Sequence, residues 1–103
     1  MMNKKMLRQA QQLQKRMETM QDELQVSTVE ATSGGGVVKA KINGSMIIES
    51  LIIDPEVVDP DDVEMLQDLI TAAVNEGLQK AQKMASTRMN DLTSGFNIPG
   101  LTS

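Results

Sequence analysis

Cysteine, histidine, tryptophan and tyrosine are absent from this 103-residue chain, and phenylalanine occurs once, at Phe96. Without cysteine there is no disulfide framework and no thiol nucleophile, the usage expected of a protein kept in the cytoplasm. Without histidine the commonest general base and the commonest transition-metal ligand are both missing. The serines therefore have no imidazole to activate them, and no Ser-x-x-Lys element offers a lysine instead. No catalytic residue, metal ligand or cofactor site emerges, so neither an enzyme nor a small-molecule substrate is expected. No apolar run approaches the ~20 residues needed to span a bilayer, and the amino terminus has no apolar signal segment, so no membrane association is expected.

The shortage of aromatics also limits the interior. A core must be assembled from Leu, Ile, Val, Ala and nine Met residues, whose flexible side chains suit an adaptable interior or interface. A chain of this length with so few large side chains leans on association for stability, and a homodimer is expected. Net charge is −4, but its layout matters more than its total. Residues 1–17 carry Lys4, Lys5, Arg8, Lys15 and Arg16 and no acid, whereas residues 42–79 carry nine acids and no base. Lys80, Lys83 and Arg88 then restore positive charge. A polyanion responds to such local potential rather than to the isoelectric point.

Five elements follow from periodicity. Met6, Ala10, Leu13, Met17, Met20 and Leu24 are spaced 4, 3, 4, 3, 4, a heptad seam that predicts one helix over residues 3–25. At 100° per residue Lys4, Arg8 and Lys15 fall opposite this seam. That stripe reads either as a solvated face or as a binding face. Its polarity favours the second, because cations at a helix amino terminus and Glu18, Asp22 and Glu23 towards its carboxyl end both oppose the macrodipole.

Residues 26–32 are β-prone, and Ser33 to Gly36 form a turn; the P-loop spacing is absent, so the glycine triplet is a hairpin connection rather than a phosphate cradle. Val38, Ala40 and Ile42 alternate with Lys39, Lys41 and Asn43, the pattern of a half-buried strand. Lys39 and Lys41 read as guards of a sheet edge, with nucleic-acid contact as the alternative. Asn43-Gly44 predicts a two-residue type I′ turn. Met46 to Ile53 make a third strand that is apolar on both faces, with Ile47, Leu51 and Ile53 on one and Met46, Ile48 and Ile52 on the other, and a partner subunit is the economical cover.

Asp59 is the expected N-cap of a second helix, with Pro60 at its first position and Asp61 and Asp62 in its first turn. Helix capping, not a cation site, accounts for these acids, whose spacing is not that of an EF-hand. The helix is predicted to run from about Pro60 to Met84 or slightly beyond, with Val63, Leu66, Leu69, Ile70, Ala73, Val74, Gly77, Ala81 and Met84 as its apolar stripe. Gly77 within that stripe predicts a close approach to a strand or another helix. Arg88 continues the same line, so packing ends before it or it faces a groove. A single domain over residues 1–93 and a mobile tail over 94–103 complete the reading.

The ordered landmarks are Met6 to Met17, Gly34 to Gly44, Ile53-Asp54-Pro55, Asp62 to Asn75, and Ser94 to Gly100. Together they resemble the YbaB/EbfC family of bacterial nucleoid-associated proteins over about Lys4 to Gly100. The resemblance implies an α+β fold of order α-β-β-β-α, a three-stranded antiparallel sheet with two long helices, in a dimer whose helices project like tweezers. It implies binding of double-stranded DNA and a part in nucleoid organisation and gene regulation, in the cytoplasm at the nucleoid. No family motif transfers DNA contacts residue by residue. The candidate DNA-binding residues come from this chain's own charges: Lys4, Lys5, Arg8, Lys15 and Arg16 on the first helix, then Lys80, Lys83 and Arg88 on the second. The alternative is a protein-interaction scaffold whose Met-rich seam docks a helix, either foreign or from a second copy.

Overall fold

The computed structural model describes residues 3–94. The element order is α1 (Lys4–Val26), β1 (Thr28–Ser33), β2 (Val38–Asn43), β3 (Ile48–Ile53), a short 3-10 turn (Pro55–Val57) and α2 (Val63–Ser94). The strands form one antiparallel sheet in the order β1-β2-β3. This is the α-β-β-β-α arrangement that the periodicities predict.

The core lies between one face of that sheet and α2. Pairing of Val29 with Ile42, Ala31 with Ala40 and Ser33 with Val38 places these residues on one face, because directly opposed residues share a side. Val38, Ala40 and Ile42 are fully buried, and Ala73 and Ala81 of α2 meet them. The small side chains let the helix approach closely. At Gly77 an added Cβ would lie 2.5 Å from Ile42 Cδ1, which accounts for a residue that costs about 1 kcal/mol in helix propensity. Two long-range hydrogen bonds fix the register of α2 along β1. Ser33 Oγ donates to the Leu69 carbonyl at 2.6 Å, and Lys80 Nζ donates to the Glu30 carbonyl at 3.0 Å.

Several local expectations are revised. Asn43 and Gly44 do not form a type I′ turn, because the residue at positive φ is Met46, at 65°. Asn43 Oδ1 instead accepts from the amides of Ser45 and Ile47, at 2.8 and 3.1 Å. The Gly44 amide is committed elsewhere, donating to Leu24 O at 2.8 Å and Ser27 O at 3.0 Å. Gly44 thus ties the carboxyl end of α1 to the hairpin. A Cβ there would fall 2.8 Å from the Leu24 carbonyl oxygen.

The N-cap of α2 is Asp62 rather than Asp59. Asp62 Oδ1 accepts from Met65 N at 3.2 Å, while Asp59 to Asp62 closes a turn through Asp62 N and Asp59 O at 3.0 Å. Proline at the second position of such a turn is preorganised by its fixed φ. The helix also runs past Met84 to Ser94, because its last turns have α1 to pack against. Of the expected tail over 94–103, Ser94 closes α2 and the rest, with Phe96, lies outside the described residues.

Lys39 and Lys41 do not guard an edge, since β2 is the central strand. They project from the face away from α2, where Lys39 lies 3.9 Å from Glu30. The two edges are β1, on which α2 packs, and β3, which α2 leaves largely uncovered. Leu51 and Ile53, paired with Ala40 and Val38, face the α2 side, and Ile52, paired with Lys39, faces the other. Ile47, Ile48, Leu51 and Ile52 are all exposed.

Gly44→Ala is expected to destabilise the fold by about 1–3 kcal/mol, as overpacking against fixed backbone does. Urea unfolding should show a lower midpoint with an unchanged slope. A midpoint equal to that of the parent would show that the junction between α1 and the hairpin tolerates a methyl group.

Candidate nucleic-acid interface

The two helices make an arm. Along α2, Leu69 lies at Ser33, Gly77 at Ile42, Lys80 at Glu30 and Arg88 at Glu23. The helix therefore runs antiparallel to β1 and leaves the sheet at the Thr28–Asn43 end. Helix α1 enters the sheet at that same end, so the two helices lie antiparallel beyond it. Their contact is apolar at its base, where Met20 and Leu24 are buried. Two such side chains contribute roughly 2 kcal/mol each on burial. Arg88 Nη1 and Glu23 Oε2 stand 4.0 Å apart across the pair, a partly exposed contact of the kind worth about 0–1 kcal/mol. The arm is held by its apolar base, and the ion pair sets register.

Packing weakens outward along α1. Leu24 and Met20 are buried, Met17 and Leu13 are half-buried, and Met6 and Leu7 are 53% and 49% exposed. The carboxyl-terminal half of the heptad seam is thus occupied by α2 of the same chain, and the amino-terminal half is open. That outer half still begins with a good cap, since Asn3 Oδ1 accepts from Met6 N at 2.8 Å.

Lys4, Lys5, Arg8, Lys15 and Arg16 are all exposed on this arm. The first turn of α1 has no acid and its last turn no base, so the helix keeps the charge polarity that opposes its dipole. From Lys4 to Lys15 the stripe extends about 16 Å at 1.5 Å per residue. Arg16 and Arg88 line one groove between the helices together with Met20, Glu23, Asp91 and Leu92.

The second candidate set is less uniform. Lys80 is bound to the sheet through Glu30 O and lies 3.8 Å from Glu76. Arg88 faces the groove between the helices and meets Glu23, so of the two outcomes its position allowed, the groove is the one realised. Lys83 is exposed on α2 between them. The geometry therefore gathers the α1 cations and Arg88 on the arm and assigns Lys80 a structural contact. Glu23 is the residue that the charge reading did not single out. Its signal was an acid at the disfavoured end of a helix, and its partner Arg88 lies far along the sequence, beyond the reach of local pattern.

Among the described residues no helix is long and apolar enough to cross a membrane, and no group of three or more acids could hold a metal ion.

Comparison with known proteins agrees with this architecture. An uncharacterized protein of Helicobacter pylori has the same fold, with a TM-score of 0.78 over 89% of this chain and 98% of its own, at 20% identity. A nucleoid-associated protein of Caldanaerobacter subterraneus subsp. tengcongensis is 55% identical over 96 residues, covering 93% of this chain and 86% of the relative. One from Pelotomaculum thermopropionicum is 55% identical over 97 residues, covering 94% and 92%, and one from Chloroflexus aurantiacus is 48% identical over 96 residues, covering 92% and 96%. The family model that matches residues 1–96 is that of the YbaB/EbfC DNA-binding family. With its helical arm, open-edged sheet and acid-free amino-terminal stripe, the chain belongs to the YbaB/EbfC DNA-binding family.

Proposed function

We propose that this protein binds double-stranded DNA as a homodimer through its helical arms, at the nucleoid in the cytoplasm, and that it contributes to nucleoid organisation and gene regulation. The observation that carries the reading is the exposed, acid-free run of Lys4, Lys5, Arg8, Lys15 and Arg16 on the arm. Duplex DNA presents one charge per ~1.7 Å of axis, so a stripe of this length faces several phosphates and releases their counterions on contact. Lys83 adds to the same field, and Arg88 does so where its pairing with Glu23 yields to a phosphate. The described residues contain no aromatic ring, so stacking of unpaired bases is not the source of affinity. The contacts are mainly to backbone phosphates, with Gln9, Gln11 and Gln12 as neighbouring amides able to meet base edges.

The β3 edge supports the homodimer. Ile47 and Ile52 are 58% and 60% exposed, and Ile48 and Leu51 lie beside them. An apolar edge of this kind invites strand pairing or coverage by a second copy. A dimer joined there carries two arms on one body and doubles the number of phosphates reached in one encounter, which raises affinity through effective concentration.

Fluorescence anisotropy with a duplex of mixed sequence, titrated across salt, tests the arm. Lys4→Glu with Arg8→Glu is expected to weaken binding by about tenfold or more and to reduce the log–log salt slope by ~0.9 for each phosphate no longer neutralised. An unchanged slope in a folded double variant would remove α1 from the interface.

The dimer is tested separately by light scattering after size exclusion. Leu51→Glu with Ile52→Glu is expected to yield monomer at micromolar concentration, since an uncompensated charge buried at an interface costs several kcal/mol (about 3–5). Retention of the parent mass would exclude β3 as the joining edge.

A further inference from the structure

The amino-terminal half of α1 presents an apolar strip that α2 and the sheet leave uncovered among the described residues. Met6 and Leu7 are about half exposed, Ala10 is exposed, and Leu13 is half-buried. At 100° per residue, Lys5 flanks this strip while Lys4, Arg8 and Lys15 lie on the far side of the helix. The strip continues the line on which α2 packs, but with the opposite charge beside it. Near the sheet the flank of α1 carries Glu23, and α2 answers with Arg88. Farther out the flank carries Lys5, so the side chain that complements it there is an acid. A second α1 cannot supply one, because residues 1–17 contain five cations and no acid.

The same chain presents the complementary surface at its other end. Asp62, Glu64, Met65, Asp68 and Leu69 line a shallow groove at the start of α2. Met65 and the neighbouring Val63 are 40% and 52% exposed. Residues 54–68 hold seven acids and no base. This groove combines an apolar floor with an acidic rim, as the α1 strip combines an apolar ridge with a basic flank.

We propose that the α1 strip of one molecule docks into the α2 groove of a second copy, tip to opposite end. The two surfaces lie at opposite ends of the molecule, and the contact proposed is one-way and so heterologous. Repeated from copy to copy, with a rotation that does not close, it generates an open chain. Met6, Ala10 and Leu13 supply the apolar contact, and Lys5 faces Asp68 and Glu64. Lys4, Arg8 and Lys15 point away from the docked copy and remain accessible. The assembly thus aligns successive phosphate-binding stripes along one direction. It requires neither DNA nor the β3 edge, and it stands or falls independently of the reading given above.

Sedimentation velocity of the full chain in DNA-free buffer tests it. The weight-average sedimentation coefficient is expected to rise with protein concentration at ~20 mM salt and to collapse to that of the basic unit near ~0.5 M, where charges a few ångströms apart are screened. Lys5→Glu and Asp68→Lys should each raise the concentration of half-assembly by about tenfold, and the two together on one chain should restore it to within ~3-fold of the parent, as charge complementarity demands. Ala10→Glu keeps a good helix former and places an acid on the strip, so it too should abolish assembly while circular dichroism stays unchanged. A parent protein of constant size across concentration would overturn the proposal. So would a double charge reversal no better than either single one.

Discussion

The close seating of α2 on β2 is the contact from which the rest of the molecule follows. Ala73, Gly77 and Ala81 remove side-chain bulk where the helix crosses Val38, Ala40 and Ile42, and Ile42 fills the space that a Cβ at residue 77 would need. A larger residue there would lift the helix from the sheet. It would also break the hydrogen bonds from Ser33 and Lys80 that set its register. Because the helix is drawn down on β1 and β2, it leaves most of β3 bare. Because its direction is fixed by β1, its last turns project past the sheet end where α1 enters. One narrow contact therefore creates both the bare apolar edge and the two-helix arm.

Charge is distributed over this frame by region rather than by pairing. The pairs Lys39–Glu30, Lys80–Glu76 and Arg88–Glu23 are long and at least partly exposed, at 3.8 to 4.0 Å, and contribute little to stability at ordinary ionic strength. What they do is tie individual residues to local tasks: Lys39 to the open sheet face, Lys80 to β1, Arg88 to the base of the arm. Lys4, Lys5 and Arg8 lie on the outer turns of α1, at the opposite end of the molecule from the acidic loop between β3 and α2. An overall charge of −4 is compatible with polyanion binding for this reason, since the field at a surface is set within about a Debye length, roughly 8–10 Å.

Much of this was legible from residue order alone, and most of the failures share a cause. The heptad spacing of Met6 to Leu24, the alternation from Val38 to Ile42 and the stripe from Leu66 to Met84 are local patterns, and each became the expected element. The position of Gly77 also forecast its contact, because a helix keeps a glycine inside a strong apolar stripe chiefly where a neighbour needs the room. The cap of α2, at Asp62 instead of Asp59, turned on a choice between neighbouring aspartates; the other errors arose where the deciding partner is distant in sequence. Asn43-Gly44 has the composition of a type I′ turn, but Gly44 is recruited by the end of α1, on the far side of β1 and β2 in chain order. Lys39 and Lys41 look like edge residues until the order β1-β2-β3 makes their strand central. Met84 looks like the end of a helix until α1 supplies a surface for Arg88 and Leu92. The candidate cations were readable as a set, whereas their division into arm and sheet roles depended on Glu23, Glu30 and Glu76.

The outer half of α1 is where stability and binding become one problem. Its cations crowd the positive end of a helix dipole, each at a cost of about 0.3–1 kcal/mol when exposed, and isolated helices of fewer than ~12–15 residues are marginal in water. Among the described residues, the Asn3 cap and continuity with the packed inner half hold these turns in shape. Anions placed along the stripe remove both the mutual repulsion of Lys4, Arg8 and Lys15 and their conflict with the dipole. A ligand that binds the ordered form and not the frayed one stabilises order by mass action. On the proposed reading, the feature that makes the helix electrostatically poor on its own is also the one that a phosphate backbone would relieve. Reversing its polarity, with acids first and bases last, would produce a more stable helix with nothing to gain from contact.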